Sequence, residues 1–416
     1  MKSTAEQLFS PDPRAGAEFF LNDPQKLDNP FPDLQYFREN HPVFFYPPLQ
    51  QWFIFKYADV AALFSDSRLS ANRMIGFVDA APEEVRQELR TIAPYLEQWV
   101  LMKDAEEHTR IRDFLHLGFN AAIAHGLKDQ IQHSADQLLD RVEAQGFIDV
   151  SSEYGFLMTA YVLSDFLGVR SQDRDQVVQW SVDFVDFFNI LPITAETTRR
   201  MVASANGLIG YTQELIADRR RAPQDDFLST LIKAETETGN FTDDEIIANA
   251  MLILLAGHLA VRNLIGNAVY LLLTHPAQWS QLQSKPDLLT NVIQEVLRYE
   301  PPVTLIPRIA LQDFELHGNL IHQGQIVQLN IASANRDPDH FTDPDQFEIN
   351  RCSGKPLSFG HGPHTCLGAV LAKQEANIAL ATLFRRLPNL RLDPSQPIGW
   401  YRNAGNRGPE ILPCLF

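Results

Sequence analysis

The 416-residue sequence has little cysteine: Cys352, Cys366 and Cys414 are too few for a disulfide framework, and a reducing cytoplasm is the expected setting. It is also short of positive charge. Thirty-five lysines and arginines stand against 52 aspartates and glutamates, a formal net charge of −17. Nucleic acid and anionic membrane surfaces both require a basic face, so neither is an expected partner. No Gly/Ser-rich linker, low-complexity run or fixed-period repeat divides the chain, and a single domain over residues 1–416 is expected. The opening Met1-Lys2-Ser3-Thr4-Ala5-Glu6 runs into charged and proline-containing sequence without an apolar core. Neither a signal peptide nor a membrane anchor is expected there.

What is present is organised around Phe359-Gly360-His361-Gly362-Pro363-His364-Thr365-Cys366-Leu367-Gly368. Turn-forming residues precede a cysteine, and a helical pattern follows it from Gly368 to about Arg386. A cysteine at the mouth of a helix lies near the positive end of the helix dipole, which favours the metal-ligating thiolate. This pattern resembles the haem-binding loop of the cytochrome P450 family. The resemblance implies a mainly α protein with small β-sheets, in which haem b lies between a long central helix and the cysteine loop with its helix. It makes Cys366 the proximal ligand of the iron, with Phe359 and Gly360 in the haem cradle. β-rich parts are expected at about 40–70 and 300–350, with a helical remainder.

Other segments agree with the family in order. Val43–Tyr46 and Trp52–Phe55 read as a hairpin, and Tyr57–Ser65 as a short helix. Residues from Ser70 to about Tyr95 read as an irregular surface loop, and the resemblance makes this region a cap over the substrate pocket. His108 and Arg112 share a helix face. The resemblance assigns both to the haem propionates, together with Arg308 in a β-like stretch and His364 in the loop. Tyr154–Gly168 reads as a helix stopped by Gly168, inside a region, 150–235, that reads as helical throughout. Glu295 and Arg298 are three apart on another helix, and the resemblance joins them with Arg351 in a buried structural trio. Ala334-Asn335-Arg336-Asp337-Pro338 also fits the family pattern.

Thr242-Asp243-Asp244-Glu245 is a capping box, and no proline follows until Pro276. The helix it opens reaches about Thr274, roughly 48 Å at 1.5 Å per residue. Met251–Ala256 is apolar all round, so the middle of this helix must be buried; as a membrane span the run reads as too short. Here the sequence departs from the family, whose long helix carries Ala-Gly-x-(Asp/Glu)-Thr over the haem. This chain reads Ala256-Gly257-His258-Leu259-Ala260, so the acid and the alcohol that handle protons are both missing. Arg262 lies roughly 200° from Ala260 around the helix, and His258 shares its far side, so neither replaces them. Gly257, having no side chain, reads as room for a small ligand.

The resemblance leaves three chemistries open: a monooxygenase that borrows a substrate hydroxyl or water for proton delivery, a peroxide-dependent enzyme, or one that rearranges or dehydrates an oxygenated substrate. The first is favoured. A non-catalytic haem sensor is the contrasting class, and the apolar pocket residues Phe77, Val78, Phe187, Phe188, Ile253, Ala256, Val303 and Leu305 argue against it. They point to a hydrophobic small molecule, of the kind bacterial relatives tailor in secondary metabolism. A basic patch from Arg110, Arg112, Lys355, His361, His364 and Lys373 is expected on the thiolate face to dock an acidic ferredoxin or flavodoxin. The protein is expected to be a monomer.

Overall fold

The computed structural model describes residues 25–74, 77–120, 126–189, 194–238, 241–351 and 354–416. Its axis is the helix Asp243–Thr274, opened by Thr242. Thr242 Oγ1 accepts from the Glu245 N–H at 3.2 Å, and the Glu245 carboxylate accepts from the Thr242 N–H at 2.9 Å. Both halves of the capping box therefore satisfy backbone donors that the first turn leaves orphaned. The helix stops before Pro276, which starts the next one, Pro276–Ser284. By length and composition Asp243–Thr274 is long and apolar enough to cross a membrane, which corrects the shorter reading of its apolar run. Seventy-two per cent of its most apolar window is buried inside the protein. Helices Leu157–Leu167, Ala195–Arg221, Leu289–Tyr299 and Ala369–Arg386 pack around it, and one hydrophobic cluster runs through all of them.

Between residues 70 and 95 the structure replaces the expected loop with a helix, Arg86–Leu96. Leu89, Ile92, Ala93 and Leu96 are buried at helical spacing against the long helix and Ala195–Arg221. Pro94 sits inside its last turn. The 150–235 region is helical but subdivided. A π-helical segment, Val150–Phe156, precedes Leu157–Leu167, which ends at a left-handed Gly168, and Arg174–Asn189, Ala195–Arg221 and Phe227–Thr238 follow.

The main sheet has five strands, in spatial order Val43–Tyr46, Gln51–Ile54, Ile326–Asn330, Leu305–Ala310 and Leu69–Ser70. Its first two strands are an antiparallel hairpin with Val43 opposite Ile54 and Tyr46 opposite Gln51. Gln51–Ile54 then pairs in parallel with Ile326–Leu329, the one parallel junction in the sheet. Two smaller apolar clusters lie against this sheet. The expected helical remainder also contains small sheets: Pro413–Leu415 pairs with Phe147–Asp149 and Arg391–Leu392, and Gly399–Trp400 with Pro409–Ile411.

Glu295, Arg298 and Arg351 meet. Arg298 donates to both Glu295 oxygens at 2.8 and 2.7 Å, and Arg351 Nε lies 3.2 Å from each. Glu295 and Arg298 are 4 % and 2 % exposed, so the pair is desolvated and held by hydrogen bonds rather than by surface charge. Arg298 also donates to the carbonyls of Asn335, Pro344 and Gln346. Asn335 in turn accepts from the Leu357 N–H and donates to Ser358 Oγ, both at 2.8 Å. The trio thus anchors the start of the cysteine loop.

Candidate functional site

Where the long helix passes the cysteine loop, the fold encloses a cavity of about 690 Å³. One wall is the loop and the helix after it. Gly360 and Gly362 take φ of 73° and 71°, and a Cβ on Gly362 would sit 2.1 Å from Ser65 Oγ, so only glycine fits there. The Cys366 N–H donates to the Phe359 carbonyl at 2.8 Å and closes the turn. Cys366 keeps an exposed face, and that face is cavity wall deep in the protein. Burial pushes its thiol above the ordinary range, against the opposing pull of the Gly368 N–H, Arg112 and Lys373. A cation or metal in the cavity would reverse that balance.

At one end of the cavity positive charge accumulates. Arg112 donates to the Thr365 carbonyl at 2.6 Å. Arg308, 3 % exposed, is lowered to about 10 by burial, with Asp104 opposing. Arg73 is lowered to about 10 by burial and by Arg308, and its Nε has no partner. The rings of His108 and His364 lie 4.0 Å apart. Burial first, and then His108 with Arg308 and Arg112, holds His364 down to about 3; His108 is lowered by burial and Arg112. Both are neutral at pH 7. Arg73, Arg112 and Arg308 line this end, opposed by Asp104 at Arg308 and by Asp113 at Arg112; Asp104 is tied to the Ala71 N–H at 2.9 Å and to Ser70 Oγ. The surplus of positive charge in this buried corner calls for an anionic group. Arg73 escaped the sequence reading because its only signal is spatial: it meets Arg308 across 235 positions of chain.

The opposite wall is the long helix. Ala256, Leu259 and Ala260 line the cavity and offer neither hydroxyl nor carboxylate. Asn249 supplies the polar group on this wall, but its amide accepts from the Val100 N–H and donates to the Gln98 and Glu245 carbonyls. His258 and Arg262 lie on the far side. His258 packs edge-on against Phe156, and Arg262 donates to the Glu410 carbonyl at 2.8 Å and to Tyr401 Oη. Gly257 lines the cavity too, and a Cβ there would meet Leu163 Cδ2 at 2.8 Å, so this glycine also permits close helix packing.

Ile253, Val303 and Leu305 line the cavity, whereas Val78 does not; it packs half-buried on the main core. The side chains of Phe77, Phe187 and Phe188 lie outside the described residues, as does Cys352. Sequence reading missed Trp99–Met102, a short apolar turn that contributes much of the lining. The signal was its unbroken apolar run just before Lys103. Arg110, placed in the expected basic patch, is instead paired with Glu245 and Glu107. Arg112 and His364 face inward, so Lys355, His361 and Lys373 remain on the thiolate face.

Residues 78–397 match the family model described as Cytochrome P450. A relative from Bacillus subtilis (strain 168), the biotin biosynthesis cytochrome P450, is 32% identical over 394 residues, covering 94% of this chain and 97% of that one. The vitamin D(3) 25-hydroxylase of Pseudonocardia autotrophica is 35% identical over 369 residues, 88% of each chain. Among solved structures, P450BioI in complex with hexadec-9Z-enoic acid ligated acyl carrier protein superposes with a TM-score of 0.85 at 31% identity, covering 94% of this chain and 99% of that one.

Proposed function

Because the chain belongs to the cytochrome P450 family, whose members use haem iron and act as oxidoreductases, we propose that it is a haem-thiolate monooxygenase of hydrophobic small molecules. The observation that carries this reading is the pairing of Cys366 on one cavity wall with a cationic corner on the same cavity. Haem fits that donor set. Cys366 would ligate the iron, Phe359 and Gly360 would cradle the ring, and Arg73, Arg112 and Arg308 would take the two propionates, with His108 and His364 as neutral hydrogen-bond partners. When bound, thiolate-ligated haem supplies reductive cleavage of dioxygen.

The chain's own residues set what reaches it. Ile253, Val303, Leu305 and Trp99–Met102 exclude water and favour an apolar ligand. The P450BioI complex, whose ligand is an acyl chain on a carrier protein, makes a carrier-bound acyl group one class to test. We take the protein to be a single-domain cytoplasmic monomer, reduced by a ferredoxin or flavodoxin that docks near Lys355, His361 and Lys373 beside the exposed Val370.

The test is to offer hexadecenoic acid, free and carrier-bound, and a panel of steroids and macrolides to the purified holoprotein. Soret shifts report binding, and labelled dioxygen with NADPH, a plant-type ferredoxin and its reductase reports turnover. A product carrying one atom of the label supports the proposal. A product formed only with hydrogen peroxide moves the oxidant to peroxide, and the absence of both binding and product overturns the reading.

Two substitutions sharpen it. Arg308→Leu or Arg73→Leu removes a charged hydrogen-bond donor worth about 1.5–3 kcal/mol, so haem retention should fall roughly ten- to hundredfold, measured by transfer to apomyoglobin. General acid assistance is worth about 10²–10⁴-fold. Ala260→Thr should therefore raise product per NADPH several-fold for an apolar ligand lacking a hydroxyl, and leave one that carries its own hydroxyl near the iron unchanged.

A further inference from the structure

The turn Trp99–Met102, which contributes much of the cavity lining, satisfies only part of its own backbone. The Met102 N–H donates to the Trp99 carbonyl at 2.8 Å, and the Lys103 N–H to the Val100 carbonyl at 3.3 Å. The Val100 N–H and the Gln98 carbonyl leave the turn and end on one side chain of the long helix. Asn249 Oδ1 accepts from the Val100 N–H at 2.9 Å, and Asn249 Nδ2 donates to the Gln98 carbonyl at 3.1 Å. Its second Nδ2 proton goes to the Glu245 carbonyl, one turn back, at 2.9 Å. Asn249 is fully buried, and its neighbours Ala248, Ala250, Met251, Leu252 and Ile253 are all apolar. None of them could pair with a peptide group of the turn. Glu245 holds Arg110, so the long helix grips the chain on both sides of the turn.

We propose that Asn249 is the positioning residue that sets the width of the substrate pocket, by fixing Trp99–Met102 against the long helix through the turn's backbone. This rests on the monooxygenase reading above. The cavity of about 690 Å³ has to take the haem as well, so the space left for a substrate is narrow. A small retreat of one apolar wall would then admit a larger ligand. Anchoring by the backbone leaves the side chains of Val100, Leu101 and Met102 to supply apolar lining. An unpaired peptide N–H or carbonyl at this depth is costly, so the turn has reason to stay where Asn249 serves both. The ligand class this favours is slim and apolar, an extended chain rather than a macrocycle.

Asn249→Leu keeps a side chain of similar size and removes both bonds to the turn. The probes are imidazole, 4-phenylimidazole and clotrimazole, which bind haem iron through a ring nitrogen and differ in bulk. Soret titration of the holoprotein reads each Kd. The affinity for clotrimazole relative to imidazole should rise about tenfold in Asn249→Leu, while imidazole alone binds as in the wild type. Amide exchange of residues 98–103, followed by mass spectrometry, should quicken about tenfold or more. Asn249→Asp keeps the acceptor for Val100 and should recover part of both effects. The control is Asn267→Leu. Asn267 is equally buried on the same helix and donates to the Glu300 and Arg407 carbonyls at 2.9 and 3.1 Å, away from the turn. Its loss should lower the urea midpoint and move neither readout.

An unchanged affinity ratio in Asn249→Leu overturns the proposal, and so does an equal change in Asn267→Leu, which would reduce the effect to lost stability. Should Asn249→Leu not fold, the Asn249→Asp titration and the wild-type exchange decide: a wild-type Val100 amide that exchanges like an unprotected one overturns the proposal. Failure of the monooxygenase reading shows separately, as protein in which imidazole shifts no Soret band and carbon monoxide finds no thiolate-ligated iron.

Discussion

Cys366→Ala is expected to abolish the red-shifted Soret band that reduced, carbon monoxide-bound haem shows only with a thiolate ligand. Cys414→Ala should leave it intact. The two thiols differ in what surrounds them. Cys366 opens onto the cavity, where Gly368, Arg112 and Lys373 all favour the thiolate. Cys414 is fully buried in the strand Pro413–Leu415, and burial with Asp149 and Asp393 nearby pushes it up to about 12. A buried thiol of that kind is inert as a ligand. Cys366→Ser keeps a ligand of similar size but not the sulfur, and should lose the band as well. An unchanged spectrum in Cys366→Ala would remove the basis of the proposed function.

The second large effect is on stability. Arg298→Met should destabilise the fold by about 3–5 kcal/mol, because it leaves buried Glu295 with Arg351 as its one cation and strands the carbonyls of Asn335 and Pro344 in the interior. Glu295→Gln should cost as much or more, since it leaves two guanidiniums, Arg298 and Arg351, facing a neutral amide. Arg351→Met should cost least: Glu295 keeps Arg298. Through Asn335 the damage reaches Leu357 and Ser358, so haem content should fall together with the urea midpoint. A purified Arg298→Met protein with wild-type midpoint and full haem would show the trio to be dispensable.

The long helix was legible in the sequence because each of its ends is chemically marked, by Thr242 and Glu245 at one and Pro276 at the other. The cysteine loop was legible because its glycines and Pro363 lie close together in the chain. What stayed hidden depends on neighbours distant in sequence. The helix Arg86–Leu96 read as an irregular loop because its apolar face becomes meaningful only against the long helix. Arg73 reads as an ordinary polar residue until Arg308 is placed beside it. In Lys373-Gln374-Glu375 nothing local separates the glutamate from its polar neighbours; its burial comes from the helices packed around it. Gly257 was legible as a small residue on the cavity wall, but its close neighbour Leu163 was not.

The parallel pairing of Gln51–Ile54 with Ile326–Leu329 has a consequence for biosynthesis. Gln51 and its partner Ile326 are about 275 residues apart, so at roughly 5–20 residues per second the hairpin leaves the ribosome some 14–55 s before the strand that covers its inner edge. During that interval Trp52, Phe53 and Ile54, all nearly inaccessible in the finished protein, present unpaired backbone and bare aromatic surface. The strands most deeply enclosed at the end are thus among those left open longest, and the hairpin is where a nascent chain is most exposed to wrong partners.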